Sequence, residues 1–313
     1  MKPGIYLSLP MADYLSMEAV SASLLNTAIT RCPKAAWFDS WMNAEREPED
    51  PNKAMDAGTI AHKILLEGSE DGIEVIDPND HPAEKTGAIP IGWTNKSIKA
   101  ARDYAREQGK IPILLDSILE IRDMVAAARK FLESLRDTEP AIWAAFQPGG
   151  GDSELTMVWD DEPILCRIRP DRISTDRTLI VDYKTGGTSA EPDTWGRRQM
   201  INMGYYTSAA FYQRGVQALT GVTTDYVWLV QEQKAPFLCS LVGLSPQAEE
   251  LGAAKVEAAL MLWEGCANTG QWPAYPTRVC YPELPAWEEA QWREKEEEQL
   301  GEEYDVSKLW EKP

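Results

Sequence analysis

The 313 residues leave room for one large domain or two small ones, and no apolar run approaches the ~18 residues of a membrane span. The net charge of −19 excludes a protein that coats nucleic acid through a nonspecific basic surface. Any such contact has to come from a local basic patch, for which "RIRPDR" and "WGRR" are the candidates. The N-terminal stretch "MKPGIYLSLPMADYLS" lacks the basic and apolar segments of a secretory signal, so a cytoplasmic location is expected. Five scattered cysteines (Cys32, Cys166, Cys239, Cys266, Cys280) form no CxxC pair and are expected as free, buried thiols.

From Ala19 to about Leu135 the pattern is helical. "SASLLNTAI" opens on a serine cap, "PKAAWFDSWM" opens on Pro33, and "AMDAGTIAHKILLEG" stops at Gly68. Residues 69–94, rich in Asp, Pro and Gly, read as one long loop, and two more helices follow at "NKSIKAARDYAREQG" and "LLDSILEIRDMVAAARKFLESL". At Gly149 the period changes. Three apolar or alternating runs separated by "DDEP" and "STDR" predict an antiparallel three-strand meander through Gly187. A helix over roughly Thr194–Leu219, two strands joined at "QKAP" and a last helix from Pro246 to about Cys266 complete the pattern. From Tyr281 onward eleven acids face four bases, including "REKEEEQLGEEYD", which reads as a solvated helix or mobile arm.

Within the meander, "LIVDYKTGG" places Asp182 and Lys184 two positions apart, on one strand face and roughly 7 Å from each other. Taken alone, "DYK" is a surface salt bridge. Asp171, however, closes the preceding strand, and a short turn brings its carboxylate toward Asp182. Two converging carboxylates repel unless a cation neutralises them, and hard oxygen ligands favour Mg²⁺ or Mn²⁺. Lys184 would then lie against the metal without ligating it, orienting or deprotonating a water or stabilising charge on a phosphate. Glu154 starts the first strand of the meander, one strand from Asp171. It is a candidate ligand to a second ion, or an acceptor behind the first, with an exposed strand acid as the alternative.

"RPD" followed on the next strand by "DYK" resembles the PD-(D/E)XK nuclease superfamily, and "GTIAH", Gly58 to His62, resembles the GxxxH helix of its RecB-like branch. "SASLLNTAITRCPKAAWF", "GYYTSAAFYQRGVQALTG" and "VWLVQEQKAPFLCSLVGLS" are similar to phage and prophage exonucleases related to RecE, so the resemblance runs from about residue 18 to 265. It implies an α/β restriction-endonuclease-like core, a mixed sheet flanked by helices, at residues 149–280. A helical N-terminal portion, 1–148, would pack on that core, and 281–313 would form the acidic tail. It further implies metal ligation by His62, Asp171 and Asp182, catalysis by Lys184 with Asp182, Asp171 and Glu154, and Mg²⁺- or Mn²⁺-dependent digestion of double-stranded DNA ends in phage or prophage recombination. A single-strand annealing protein is the implied partner, and a homo-oligomer the expected assembly.

The chain departs from that pattern after the catalytic strand, where such nucleases carry Gln-x-x-x-Tyr. Aligning on "AAFY" puts Ser208 at the glutamine position and Tyr212 at the tyrosine, with Gln199 as an alternative further up the same helix. Tyr205, Ser208 and Tyr212 share one helical face. Arg167 and Arg169 share a strand face, and with Arg172, Arg197 and Arg198 they are expected to line a narrow DNA channel to the metal. Without the glutamine, the alternative function is a catalytically impaired module that binds DNA ends or a protein partner.

Overall fold

The computed structural model describes residues 1–46 and 57–300. It divides into two units, Met1–Pro273 and Ala274–Pro313. The first begins with strand β1 (Gly4–Tyr6) and helices α1 (Met11–Leu15), α2 (Ala22–Thr30), α3 (Pro33–Asp39) and α4 (Ala57–Leu66). Then come β2 (Ile73–Ile76), α5 (Lys96–Glu107), β3 (Ile111–Leu114), α6 (Leu115–Ser134) and α7 (Pro140–Phe146). The strand-rich centre holds β4 (Gly151–Ser153), β5 (Thr156–Asp161), β6 (Ile164–Ile168), β7 (Arg172–Ser174) and β8 (Leu179–Gly186). The unit ends with α8 (Pro192–Trp195), α9 (Tyr205–Thr220), β9 (Asp225–Glu232), β10 (Cys239–Gly243) and α10 (Pro246–Thr269). In the second unit, α11 (Ala286–Leu300) carries part of the expected acidic tail, whose residues 301–313 lie outside the described residues, as do Ala54–Asp56 at the start of the "AMDAGTIAHKILLEG" helix.

A five-stranded mixed sheet, ordered β10-β9-β8-β7-β4, is the frame, and this is the restriction-endonuclease-like core expected from the sequence. The segment α8–α9 carries the chain from β8 to its parallel neighbour β9, while every other pair in this sheet is antiparallel. Both faces are covered, so β8 alternates between two apolar layers. Leu179, Val181 and Tyr183 pack with Ile60 and Ile64 of α4 and Ile118, Ile121 and Met124 of α6. Ile180 faces the other way, into a layer with Leu25 of α2, Phe211 of α9 and Leu260 of α10. Tyr183 Oη donates to the Gln231 side-chain carbonyl on β9, and Gln231 Nε2 donates 2.8 Å to the Met124 main chain. Burying that amide with both ends satisfied ties β8, β9 and α6 into one register.

The three-strand meander is present but broken, which its sequence pattern did not reveal. Its first strand splits into β4 and β5 at Glu154, which has φ 54°, and its second splits into β6 and β7 at Arg169–Pro170–Asp171. β5 and β6 thereby leave the main sheet and join β1 in a three-stranded sheet, while β4 and β7 stay with β8. A left-handed residue on one strand and a proline lacking its N–H on the other interrupt the ladder at the same level. The stretch read as a loop over 69–94 contains β2, which pairs in parallel with β3. Helix Thr194–Leu219 is likewise interrupted: α8 passes into one π-helical turn, Gly196–Met200, and α9 starts anew after Gly204 at φ 66°. The cysteines are free, as expected, but of the five only Cys166 and Cys266 are buried.

Helices α9 and α10 lie close together at Gly252, where a Cβ would lie 2.7 Å from the Tyr206 carbonyl oxygen and 3.2 Å from Ala210 Cβ. Since backbone cannot swing aside as a side chain can, Gly252→Ala should lower stability by about 1–3 kcal/mol in urea unfolding. Gly265 of the same helix is exposed with nothing within 4 Å of such a Cβ. Gly265→Ala should therefore raise stability by about 0.5–1 kcal/mol.

Candidate active site

Pleat alternation puts Asp182 and Lys184 on the face of β8 that Ile180 occupies, beside Trp228 and Val230 of β9. Here the apolar layer gives way to charge. Lys184 Nζ makes an ion pair with Asp182 Oδ2 while its ammonium lies 5.5 Å from the Tyr205 ring centroid. The Asp182 side chain is 8% exposed and that of Lys184 30%. Asp171 immediately precedes β7, and its Oδ2 accepts the Tyr183 backbone N–H at 2.8 Å, so β8 holds that carboxylate through its own main chain.

His62 and Glu154 complete a cluster around Asp171. Ile60, Ala61, Ile64 and Leu65 of α4 are buried, and His62 projects beside them, its ring stacked on Tyr183 at 6.1 Å. His62 Nε2 lies 2.7 Å from Asp171 Oδ2 and its Nδ1 lies 3.5 Å from Glu154 Oε1. Glu154 owes its position to the strand break. A non-glycine residue with positive φ is strained, and strain of this kind gathers where function requires a side chain to be aimed. Arg169 Nε donates to Glu154 Oε2 at 2.7 Å, fixing the carboxylate from behind.

Each charge is set by its neighbours. Burial acts to raise the Asp171 pKa, but Lys184, His62 and the Tyr183 N–H outweigh it and hold the carboxyl below its usual range. Asp182 is pushed up to about 6, first by burial and then by the Asp171 carboxylate, against the pull of Lys184. Glu154 is raised by burial and by Asp171, with Arg169 opposing. Burial acts to lower both His62 and Lys184, yet the carboxylates prevail and both are raised.

One ligand atom from each of His62, Glu154 and Asp171 lies within 4.8 Å of the others, a spread that suits one divalent ion with an imidazole and two carboxylate donors. The imidazole here sits between two carboxylates, where such an ion would also be held. Among the described residues these three form the compact donor set. Asp182, expected as the third ligand, is instead turned toward Lys184, while Glu154 stands beside His62 and Asp171.

The cluster opens into a cleft of about 460 Å³ lined also by Met11, Gly58 and Thr59. A second cavity of about 600 Å³ holds Asp182, Ser208, Tyr205, Tyr226 and Trp228. Tyr14, Lys184 and Tyr212 line both. Ser208 and Tyr212 thus reach the site from α9, whereas the break at Gly204 removes Gln199 from the helix that carries them.

The arginines do not form the expected basic channel. Arg167 is 4% exposed and donates from Nη1 to the Tyr14 and Leu15 carbonyls. Arg169 adds Leu9 O at 2.9 Å to its Glu154 bond, and both guanidiniums lie against the Tyr14 ring. Arg172 donates 2.7 Å to Ala145 O and 2.9 Å to Ser153 Oγ. These donors are engaged by the fold itself. Arg197 and Arg198, on the π-helical turn, are exposed. Tyr14 was not foreseen, because α1 is five residues long and too short to show a periodicity.

Residues 21–282 match the family described as a PDDEXK-like domain of unknown function, DUF3799. A crystal structure from Eubacterium rectale, described provisionally as an exonuclease, is similar at 12% identity and a TM-score of 0.49, covering 90% of this chain and 98% of its own. Another, described as SSO0001, has 9% identity and a TM-score of 0.25 over 66% of this chain and 87% of its own. No curated protein matches the sequence.

The donor set makes metal binding directly measurable. In calorimetric titration with Mn²⁺, Glu154→Gln and Asp171→Asn should each weaken affinity by about tenfold or more. His62→Ala should also narrow the preference for Mn²⁺ over Mg²⁺, since the imidazole is the donor that favours Mn²⁺. Unchanged Mn²⁺ affinity in Asp171→Asn would show that the cluster holds no ion.

Proposed function

Because this chain belongs to the DUF3799 family of PDDEXK-like domains, we propose that it is a metal-dependent exodeoxyribonuclease that hydrolyses phosphodiester bonds at duplex DNA ends. The observation that carries this reading is the Lys184 ammonium on the wall of the cleft that holds His62, Glu154 and Asp171. A binding module has no need for a cation and a three-donor cluster at one point. The similarity of the segments around "SASLLNTAITRCPKAAWF" and "GYYTSAAFYQRGVQALTG" to RecE-related exonucleases supports assignment to the RecE-like branch and a role in phage or prophage recombination. A single-strand annealing partner and a homo-oligomer belong to the same proposal.

His62, Asp171 and Glu154 would hold the Mg²⁺ or Mn²⁺ ion, with Asp182 beside them as a further carboxylate. When bound, the ion supplies charge to the phosphate and acidity to a water. The remaining work falls to side chains. Arg169 keeps Glu154 aimed, and the Tyr183 N–H keeps Asp171 aimed. Asp182 orients Lys184, whose retained positive charge stabilises the negative charge that develops on the phosphate. Lys184 would act by charge and orientation or by taking a proton from a water, the two roles weighed from sequence. Arg197 and Arg198 are exposed and unburdened by main-chain carbonyls, so they suit contact with the backbone phosphates.

The impaired-module reading draws on the serine at position 208, where a glutamine would be expected, and on the acidic net charge of −19. Incubation with end-labelled linear and closed circular duplex, with Mg²⁺ or EDTA, separates the two. Loss of label from the linear form in Mg²⁺ alone, with the circle intact, is expected. Lys184→Ala should retain Mn²⁺ affinity while losing roughly 10²-fold or more in cleavage. Binding of ends without any hydrolysis would favour the impaired module instead.

A further inference from the structure

We propose that the 600 Å³ cavity beyond Lys184 receives one unpaired nucleobase, that of the terminal nucleotide, and that the substrate therefore enters as a frayed or single-stranded end. The inference rests on the nuclease reading above and names the form of DNA that the same site takes.

The two spaces that meet at Lys184 differ in chemistry. The cleft on one side carries the His62–Glu154–Asp171 cluster. The cavity on the other side is lined by Tyr14, Trp41, Tyr205 and Tyr212, with the buried rings of Tyr226 and Trp228 behind them. Its volume lies within the ~300–1,000 Å³ range of small-molecule sites. Arg46 lies 3.8 Å over the Trp41 ring, so one wall is already a charged stacking platform. Flat rings and an arginine-backed indole are what bind the face of a base irrespective of its identity.

Two buried polar atoms lie just behind the cavity wall, where a small shift of the lining would bring them to a base edge. Arg167 is 4% exposed, and its Nε has no hydrogen-bond partner although Nη1 is engaged. Asn26 donates 3.0 Å from Nδ2 to Met203 O, which leaves its buried Oδ1 without a partner. Both residues line the cavity. A buried donor and a buried acceptor left open cost about 1–3 kcal/mol each unless a ligand completes them. The lining also places Asp39 and Asp182 against Arg46, Arg167 and Lys184, so it is close to neutral. A free polyanion gains little there, whereas a neutral heteroaromatic ring attached to a phosphate at Lys184 fits both spaces at once. To present its faces and edge, that base has to leave its pair and its stack.

Three substrates test this: a blunt duplex, one with its last three pairs mismatched, and the mismatched duplex with abasic tetrahydrofuran at the terminal nucleotides of both strands. The wild-type protein should cut the mismatched end faster than the blunt one, and the abasic end roughly 5- to 150-fold more slowly than the mismatched end, the scale of stacking one base on an aromatic ring. Trp41→Ala should lose this discrimination. Ser23→Trp, at an exposed position of α2 on the cavity wall, should slow the mismatched end to the abasic rate, and it carries the test should Trp41→Ala not fold. Equal rates on mismatched and abasic ends would overturn the base pocket and leave the nuclease reading standing. If no substrate is cut, the nuclease reading falls, and the pocket is judged by anisotropy in EDTA. A labelled single-stranded octamer should then bind more tightly than its abasic-ended counterpart, and only in the protein with Trp41 present; equal affinities would overturn the proposal.

Discussion

The hydrogen bond from the Tyr183 amide to the Asp171 carboxylate is the constraint around which this site is arranged. Tyr183 sits between Asp182 and Lys184 on β8, with its own ring buried against α6 and its hydroxyl held by Gln231. The main chain of β8 is therefore fixed from one face of the sheet. On that foundation a side chain from the end of β7 is anchored to the strand that carries the other two charges. Removing a carboxylate from water is costly, and a rigid N–H donor together with the neighbouring Lys184 and His62 offsets much of that cost.

Once Asp171 is fixed, its neighbours follow from charge balance. A second carboxylate beside it, Asp182, is costly to ionise, and Lys184 answers that by pairing with it. A third, Glu154, is brought in by a strained backbone and held by Arg169. His62 then lies between Glu154 and Asp171. Three carboxylates meet here with one lysine, one histidine and one engaged arginine, and a divalent ion would relieve the repulsion between the two carboxylates that flank His62. That is an electrostatic description of a cation site before any ligand distance is considered.

The sequence made the core of this arrangement legible because β8 obeys the period of two in which apolar and charged positions alternate faces. Asp182 and Lys184 could be assigned to one face from "LIVDYKTGG" alone, and Asp171 could be brought to them by the hairpin spacing. What was not legible depends on tertiary context. The meander read as three unbroken strands because Glu154 carries no local mark of a left-handed backbone; non-glycine residues adopt it where the surroundings enforce it. The helix after β8 read as continuous because Gly204 inside a helical pattern is tolerated as often as it breaks one. The arginines of "RIRPDR" read as a DNA surface because burial is invisible in composition. Arg167 and Arg169 are in fact spent on the carbonyls of a short N-terminal segment that has no periodicity of its own.

That expenditure reshapes how so acidic a chain could hold a polyanion. At a net charge of −19, long-range attraction is absent. Three of the five arginines nearest the centre are committed to the fold. What remains at the site is short-ranged: the Lys184 ammonium, a donor cluster suited to a divalent ion and a ring-lined cavity, while two exposed arginines stand on the π-helical turn. Interactions of this kind fall off within a few ångströms and reward only a strand already threaded into place. A duplex side offers phosphates but no free base and no end to thread, so the acidic exterior works against it while the interior favours a terminus. Under the proposed nuclease reading, discrimination between the end and the length of a DNA molecule would follow from the same distribution of charge that seemed to argue against DNA altogether.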